Sequence, residues 1–175
     1  MSDRIFAEWL EVQATEGMDL ASRSDVLRLA PVAGLPPHKF LAEFSCRGLA
    51  KTDAGIVTVD RHLVGISYPP DFLRRSSDPW QVLTWLEPQT EFHPNIRFPA
   101  VCVGHIAPGM TLVSLLHQLW QMITWQRFTP RENDALNKEA CAWARRNLDR
   151  FPVDSRRSLL GGPRLDSGAG AGEPQ

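Results

Sequence analysis

Between Val26 and Leu86, short apolar stretches alternate with breakers that carry proline and glycine, and this punctuation constrains the fold more than any other feature of the chain. Short strands at such close spacing predict an antiparallel meander. Val26-Leu27-Arg28-Leu29 reads as the first strand, closed by Pro31 and the Gly34-Leu35-Pro36-Pro37 cluster. From His38 to Cys46, the residues Phe40, Ala42, Phe44 and Cys46 recur with period two, the mark of a half-buried strand. Beyond a turn at Lys51-Thr52-Asp53-Ala54-Gly55, Ile56-Val57-Thr58-Val59 and His62 to Ser67 read as two further strands, or one bent strand, running into Tyr68-Pro69-Pro70. Asp71 to Pro79 reads as loop, and Trp80 to Leu86 as a fourth strand ended by Pro88.

Helical periodicity lies on either side of this region. From Arg4 to about Thr15, Ile5, Phe6, Trp9, Leu10 and Val12 share one face opposite Glu8, Glu11 and Gln13, with Gly17 as the expected stop. Thr111 to Gln126 places Leu112, Leu115, Leu116, Leu119, Trp120 and Ile123 at three-and-four spacing and predicts a central buried helix, with Trp120 and Trp125 in the core. Thr129-Pro130-Arg131-Glu132 has the form of a capping box, while Asp134 could equally cap a helix beginning at Ala135. Leu136, Ala140, Trp143, Ala144 and Leu148 would supply the apolar face of that last helix. Phe151-Pro152 closes the expected domain, residues 1–152. Residues 153–175, rich in Arg, Gly, Ser and Pro, offer too little apolar surface to offset their ordering entropy and are expected to form a disordered tail. The element order is that of the α+β class: an N-terminal helix, a four-stranded antiparallel meander, an active-site loop and two C-terminal helices.

At 175 residues and 43% hydrophobic the chain can bury a core without staples. A formal net charge of -1 without a long basic block removes the electrostatic grip on nucleic acid. Met1-Ser2-Asp3-Arg4 opens an amphipathic helix instead of a signal sequence, and no apolar run approaches the roughly 20 residues that span a bilayer. A cytoplasmic protein with neither nucleic acid nor membrane as partner is the expectation. Cys46, Cys102 and Cys141 are odd in number and far apart, which suggests neither a disulfide framework nor a zinc ribbon.

Chemistry concentrates in Phe92-His93-Pro94-Asn95-Ile96 and the run Ala100-Val101-Cys102-Val103-Gly104-His105 that follows it. A turn made rigid by proline and feeding an apolar stretch with one cysteine can hold a thiol still and reachable. Cys102 is therefore the candidate nucleophile, weighed against a small buried hydrophobe, the reading that Cys46 and Cys141 keep. The Asn95 amide is either a donor aimed at developing negative charge or an Asx turn after proline. Asp134 either orients an incoming amine or caps a helix. His105 is a proton acceptor near Cys102 or a solvent-exposed turn residue.

Taken in order, the helix, the meander, Tyr68-Pro69, Thr90-Glu91-Phe92-His93-Pro94-Asn95-Ile96, Cys102 and Asp134-Ala135-Leu136 resemble the ubiquitin-conjugating enzyme family over about residues 4–152. The resemblance implies that family's fold. It implies an enzyme that accepts a ubiquitin-like protein from an activating enzyme as a thioester on Cys102 and passes it to an amine, usually lysine, of a target protein. Asn95 would support the loop and the oxyanion, Asp134 would stand at the gateway of the incoming lysine, and His93 and Pro94 would be structural members of the turn. No metal or small cofactor serves that step. The Arg-rich wording is most similar to bacterial relatives whose operons encode an activating enzyme, a ubiquitin-like protein and a JAB-type peptidase, which implies antiviral defence. The chain departs from the family in three places: Arg97-Phe98-Pro99-Ala100 replaces an Asn-Gly hairpin, Ile106-Ala107-Pro108-Gly109 stands where a ligase-binding Trp-Ser-Pro-Ala is usual, and the first helix is acidic.

Transfer between thiols suits an unassisted cysteine, because an ordinary thiol is already a few per cent thiolate near neutral pH. A cysteine hydrolase would instead need Cys102 beside a base such as His62, His93 or His117. A zinc site from Cys102, His105 and His93 lacks a fourth ligand. A non-catalytic variant acting as a binding scaffold is the remaining alternative. Leu159-Leu160-Gly161-Gly162 resembles the end of a ubiquitin-like protein, but no β-grasp sequence precedes it.

Overall fold

The computed structural model describes residues 3–156 and 158–160. Helix α1 spans Arg4–Ser22, and the Asp3 carboxylate caps it by accepting the Ile5 and Phe6 N–H groups. Its buried stripe is Leu10, Gln13, Gly17 and Leu20, while Ile5 and Val12 face solvent. The expected stop at Gly17 is corrected by the packing. A Cβ there would lie 2.7 Å from Leu112 Cδ2 and 2.9 Å from Leu29 Cδ2, so the missing side chain lets the helix run on against its neighbours.

Four strands form one antiparallel sheet in the order β1 (Leu27–Ala33), β2 (Lys39–Phe44), β5 (His62–Ser67), β6 (Leu83–Glu87). The predicted alternation in β2 is borne out, with Phe40, Ala42 and Phe44 all buried. β1 runs through Pro31 instead of ending there, because it is an edge strand on which a missing N–H costs no ladder bond; its register shifts between Pro31 and Ala33. Between β2 and β5 the chain makes a separate hairpin, β3 (Gly48–Thr52) with β4 (Gly55–Val59), turned at Gly55 with φ +106°. Val57 thus pairs with Ala50 in that hairpin and adds no strand to the sheet. The expected strand at Trp80 starts three residues later, after one helical turn, α2 (Pro79–Val82).

α3, Leu112–Ile123, is the central helix that its periodicity predicts: Leu112, Leu115, Leu116, Leu119, Trp120, Met122 and Ile123 are all buried. Its first N–H groups are met by Thr111 Oγ1, which accepts from Ser114, and by the buried Gln13 Oε1, which accepts from Leu112 at 2.9 Å. The last helix, α4 (Lys138–Arg145), starts later than either cap expected for it, at Asn137, whose side chain accepts the Ala140 N–H. Thr129 is committed elsewhere, and Glu132–Asp134 forms only a single 3-10 turn. Ala140 and Ala144 are buried but Leu148 lies beyond the helix and is exposed.

Two cores result. The main one fills the space between the sheet, α1 and α3; the smaller one gathers Leu49, Phe92, Trp125, Ala140 and Ala144 with Phe128, Trp143 and Phe151. Packing continues past Pro152: Asp154 is buried, accepting the Arg47 N–H at 2.7 Å and pairing with Arg156, and Leu159 enters the main core. Arg156 and the Arg47 N–H hold the Asp154 carboxyl down at about 2 against the opposing effect of burial. The rest of the expected tail, including Gly161 and Gly162, lies outside the described residues. No helix among the described residues is long and apolar enough to cross a membrane.

Candidate functional site

The run from His93 to Cys102 is held by short-range turns and a small hairpin. Proline at 94 cannot donate a hydrogen bond, and the chain closes around it with the Ile96 N–H donating to His93 O at 3.1 Å. β7 (Ile96–Arg97) then pairs with β8 (Ala100–Val101), turned at Phe98-Pro99, with Ile96 opposite Val101. The Cys102 N–H extends this ladder by donating to Asn95 O at 2.8 Å. Hairpin closure therefore brings Asn95 and Cys102 side by side without an Asn-Gly turn. Val101 and Val103 are buried and Cys102 between them is half-buried, less enclosed than either neighbour and than the buried Cys46 and Cys141.

The Asn95 side chain reaches Cys102, but at the backbone and not at the thiol: Nδ2 donates to Cys102 O at 3.1 Å. Its other Nδ2 hydrogen goes to Thr129 Oγ1 at 2.6 Å, and its Oδ1 accepts the Thr129 N–H at 2.8 Å. Only this orientation of the amide matches every donor to an acceptor. Asn95 thus ties the cysteine loop to the segment that follows α3.

His93 is fully buried beneath the turn. Its Nδ1 accepts the Asn95 N–H at 3.1 Å, so Nε2 carries the hydrogen and donates to Arg127 O at 3.2 Å. Burial pushes its imidazole down to about 3, against a small opposing effect of the Arg127 carbonyl. The ring is a neutral brace with both nitrogens engaged, available neither as a base for Cys102 nor as a metal ligand. Behind it lies Trp125, the one non-glycine residue among those described with a left-handed backbone, φ 61°. That conformation costs about 1–2 kcal/mol. It is offset by packing, since the Trp125 ring stacks on Phe151 at 4.6 Å and meets His93 edge-on at 4.7 Å. The chain reversal at Trp125 is what carries Arg127 and Thr129 back to the His93-Pro94-Asn95 turn.

A second buried pair stands just ahead of the turn. His62 Nε2 faces Cys46 O at 3.1 Å and must carry a hydrogen, while Nδ1 lies 3.0 Å from Glu91 Oε2. One proton therefore sits between Nδ1 and Oε2, whichever atom owns it. Burial raises the Glu91 carboxyl above its ordinary range, opposed by His62, and its Oε1 has no partner among the described residues. Gly48 makes room for this ring: a Cβ there would lie 2.4 Å from His62 Cε1. Cys46 beside it is pushed up to about 12, chiefly by burial and then by Asp154.

Asp134 is exposed in the 3-10 turn and shares no hydrogen bond with Cys102 or Asn95 among the described residues. It lines a shallow depression with Arg131, Asn133 and the Glu132–Arg145 ion pair. Its connection to the site runs through the backbone, where the Asn137 N–H donates to Pro94 O at 3.0 Å. His105 is exposed past Gly104. His117 lines a separate cavity with Glu16, Asp19 and Leu160, and burial lowers its imidazole. The fold thus brings His93, Asn95 and Cys102 together and leaves Asp134 at their margin. Sequence reasoning missed Arg127, whose carbonyl accepts from His93 and whose guanidinium donates to Val103 O at 3.5 Å and to Gln118 Oε1 at 3.1 Å, and Thr129, which reads as a helix cap. Neither a protein-family model nor a curated protein matches this chain.

Proposed function

We propose that this chain is a conjugating enzyme for a ubiquitin-like protein, with a ubiquitin-conjugating-like fold in which the β3–β4 hairpin is an insertion between the second and third sheet strands. The observation that carries the reading is the Asn95–Cys102 pairing: an asparagine from a His-Pro-Asn turn bonded to the backbone of a half-buried cysteine set between two buried valines. In the charging step the Cys102 sulfur attacks the thioester carbonyl of the cargo on an activating enzyme. The new C–S bond forms, the old one breaks, and the departing sulfur takes up the proton that Cys102 gives up. In the discharging step an amine nitrogen of the target, most often a lysine, attacks the same carbonyl. A C–N amide bond forms as the C–S bond breaks, and the departing Cys102 sulfur takes up the proton lost by the amine. Neither step needs an oxidant or a small cofactor, and an already activated thioester requires no dedicated base. Asn95 braces the loop, and Asp134, exposed on the 3-10 turn, is the acidic group assigned to the incoming amine.

The setting inferred from the resemblance is bacterial antiviral defence, in the cytoplasm, with an activating enzyme, a ubiquitin-like protein, a target and a JAB-type peptidase as partners. Incubation with a cognate activating enzyme, ATP and a ubiquitin-like protein, followed by non-reducing electrophoresis, tests it. The expected result is a thiol-sensitive adduct that is lost in Cys102→Ala. An adduct that persists in Cys102→Ala refutes the assignment of the nucleophile, and no adduct with the wild type favours a binding scaffold.

A further inference from the structure

Resting on the conjugating reading, we infer that Thr129 is a positioning residue for cargo transfer, because it supplies two of the three hydrogen bonds that orient the Asn95 amide. A primary amide on a free side chain rotates about its last torsion and can exchange oxygen for nitrogen. Thr129 blocks this at both ends of the group. Its backbone N–H donates to Oδ1 at 2.8 Å and its hydroxyl oxygen accepts from Nδ2 at 2.6 Å. With those two atoms pinned, the remaining Nδ2 hydrogen has one direction left, toward the Cys102 carbonyl 3.1 Å away.

Thr129 is itself held from behind. The Cys141 thiol donates to Thr129 O at 3.4 Å, and Arg127, two residues earlier, is fixed by His93. This arrangement settles what Asn95 can do during the reaction. Both of its N–H donors are engaged in the resting protein, so a developing oxyanion gains an amide hydrogen bond only in exchange for the Cys102 carbonyl. A pinned amide makes that exchange without turning, and the donor waits in place. An unpinned amide must be ordered in each transfer. Thr129 therefore acts on the rate of transfer and not on recognition of the amine.

Thr129→Val keeps the shape and the backbone N–H but removes the hydroxyl acceptor; Thr129→Ser restores the acceptor. Full-length protein charged with cargo is mixed with increasing lysine, and loss of the thioester is followed under non-reducing conditions. Thr129→Val is expected to charge fully and then discharge roughly tenfold more slowly at saturating lysine, the scale of one lost side-chain hydrogen bond, with KM unchanged. Thr129→Ser is expected to discharge like the wild type. In parallel, the Asn95 side-chain N–H resonances should shift and exchange faster in Thr129→Val alone, which a change confined to folding stability would not produce. Discharge of Thr129→Val at the wild-type rate, or equal slowing in Thr129→Ser, overturns the inference. A wild-type protein that never charges overturns the conjugating reading itself and this inference with it.

Discussion

Lowering the pH should loosen the protein through His93, and the size of the effect follows from its burial. The folded ring stays neutral down to about 3, whereas its ordinary value is 6.5. A second ring proton would point Nδ1–H at the Asn95 N–H that it now accepts. Between these two pH values the unfolded chain binds a proton that the folded chain refuses. The group's contribution to stability is therefore complete above pH 6.5 and is lost as pH falls toward 3. At about 1.4 kcal/mol per pH unit, acidification from the ordinary histidine value to about pH 5 costs about 2 kcal/mol. Urea unfolding followed by tryptophan emission at about pH 7 and about pH 5 measures it. The comparison is His93→Gln, which keeps a polar donor and acceptor but does not titrate. The stability advantage of the wild type over His93→Gln should shrink by about 2 kcal/mol across that interval. Taking the difference cancels the opposing contribution of Glu91. A gap that stays constant, or a His93 ring resonance that titrates near the ordinary histidine value, refutes the reasoning.

Asn95→Ala removes the bonds to Cys102 O and Thr129 Oγ1 and strands the Thr129 N–H, so urea unfolding should show a loss of about 2–3 kcal/mol; a loss below about 0.5 kcal/mol would mean the clamp is not a structural tie. Glu91 is raised by burial, so its contribution is present below its ordinary 4.5 and is lost as pH rises through the folded value. Glu91→Gln, whose amide can still donate to His62 Nδ1, should flatten the stability decline that sets in as pH rises above 4.5 in urea titrations, and an unchanged slope would sink this account. Gly17→Ala gains about 1 kcal/mol of helix propensity but crowds Leu29 and Leu112, which costs about 1–3 kcal/mol, so calorimetry should report a lower melting temperature. A higher one would show that both leucine tips swing aside.

The parts of this protein legible in its sequence are those set by neighbours a few residues apart. The period-two pattern of Phe40, Ala42 and Phe44 and the three-and-four spacing from Leu112 to Ile123 specify elements whose buried faces follow from their own geometry. The closeness of Asn95 and Cys102 is of the same kind, because one small hairpin joins them. Gly17 was illegible for the opposite reason: whether a glycine ends a helix or admits a neighbour depends on Leu29 and Leu112, which other parts of the chain supply. The same holds for Ile56 to Val59, a strand in either reading, whose partner is the unforeseen β3.

By itself, then, the sequence determined the α+β order of elements, the central helix and the residues of the His93-Pro94-Asn95 turn with its cysteine. Only tertiary structure decided what those residues are bonded to. Thr129 and Asn95 are 34 positions apart, as are His93 and Arg127, and the left-handed backbone at Trp125 joins them. No local pattern encodes that meeting, because its cost is met by aromatic packing drawn from Trp143 and Phe151 elsewhere in the chain.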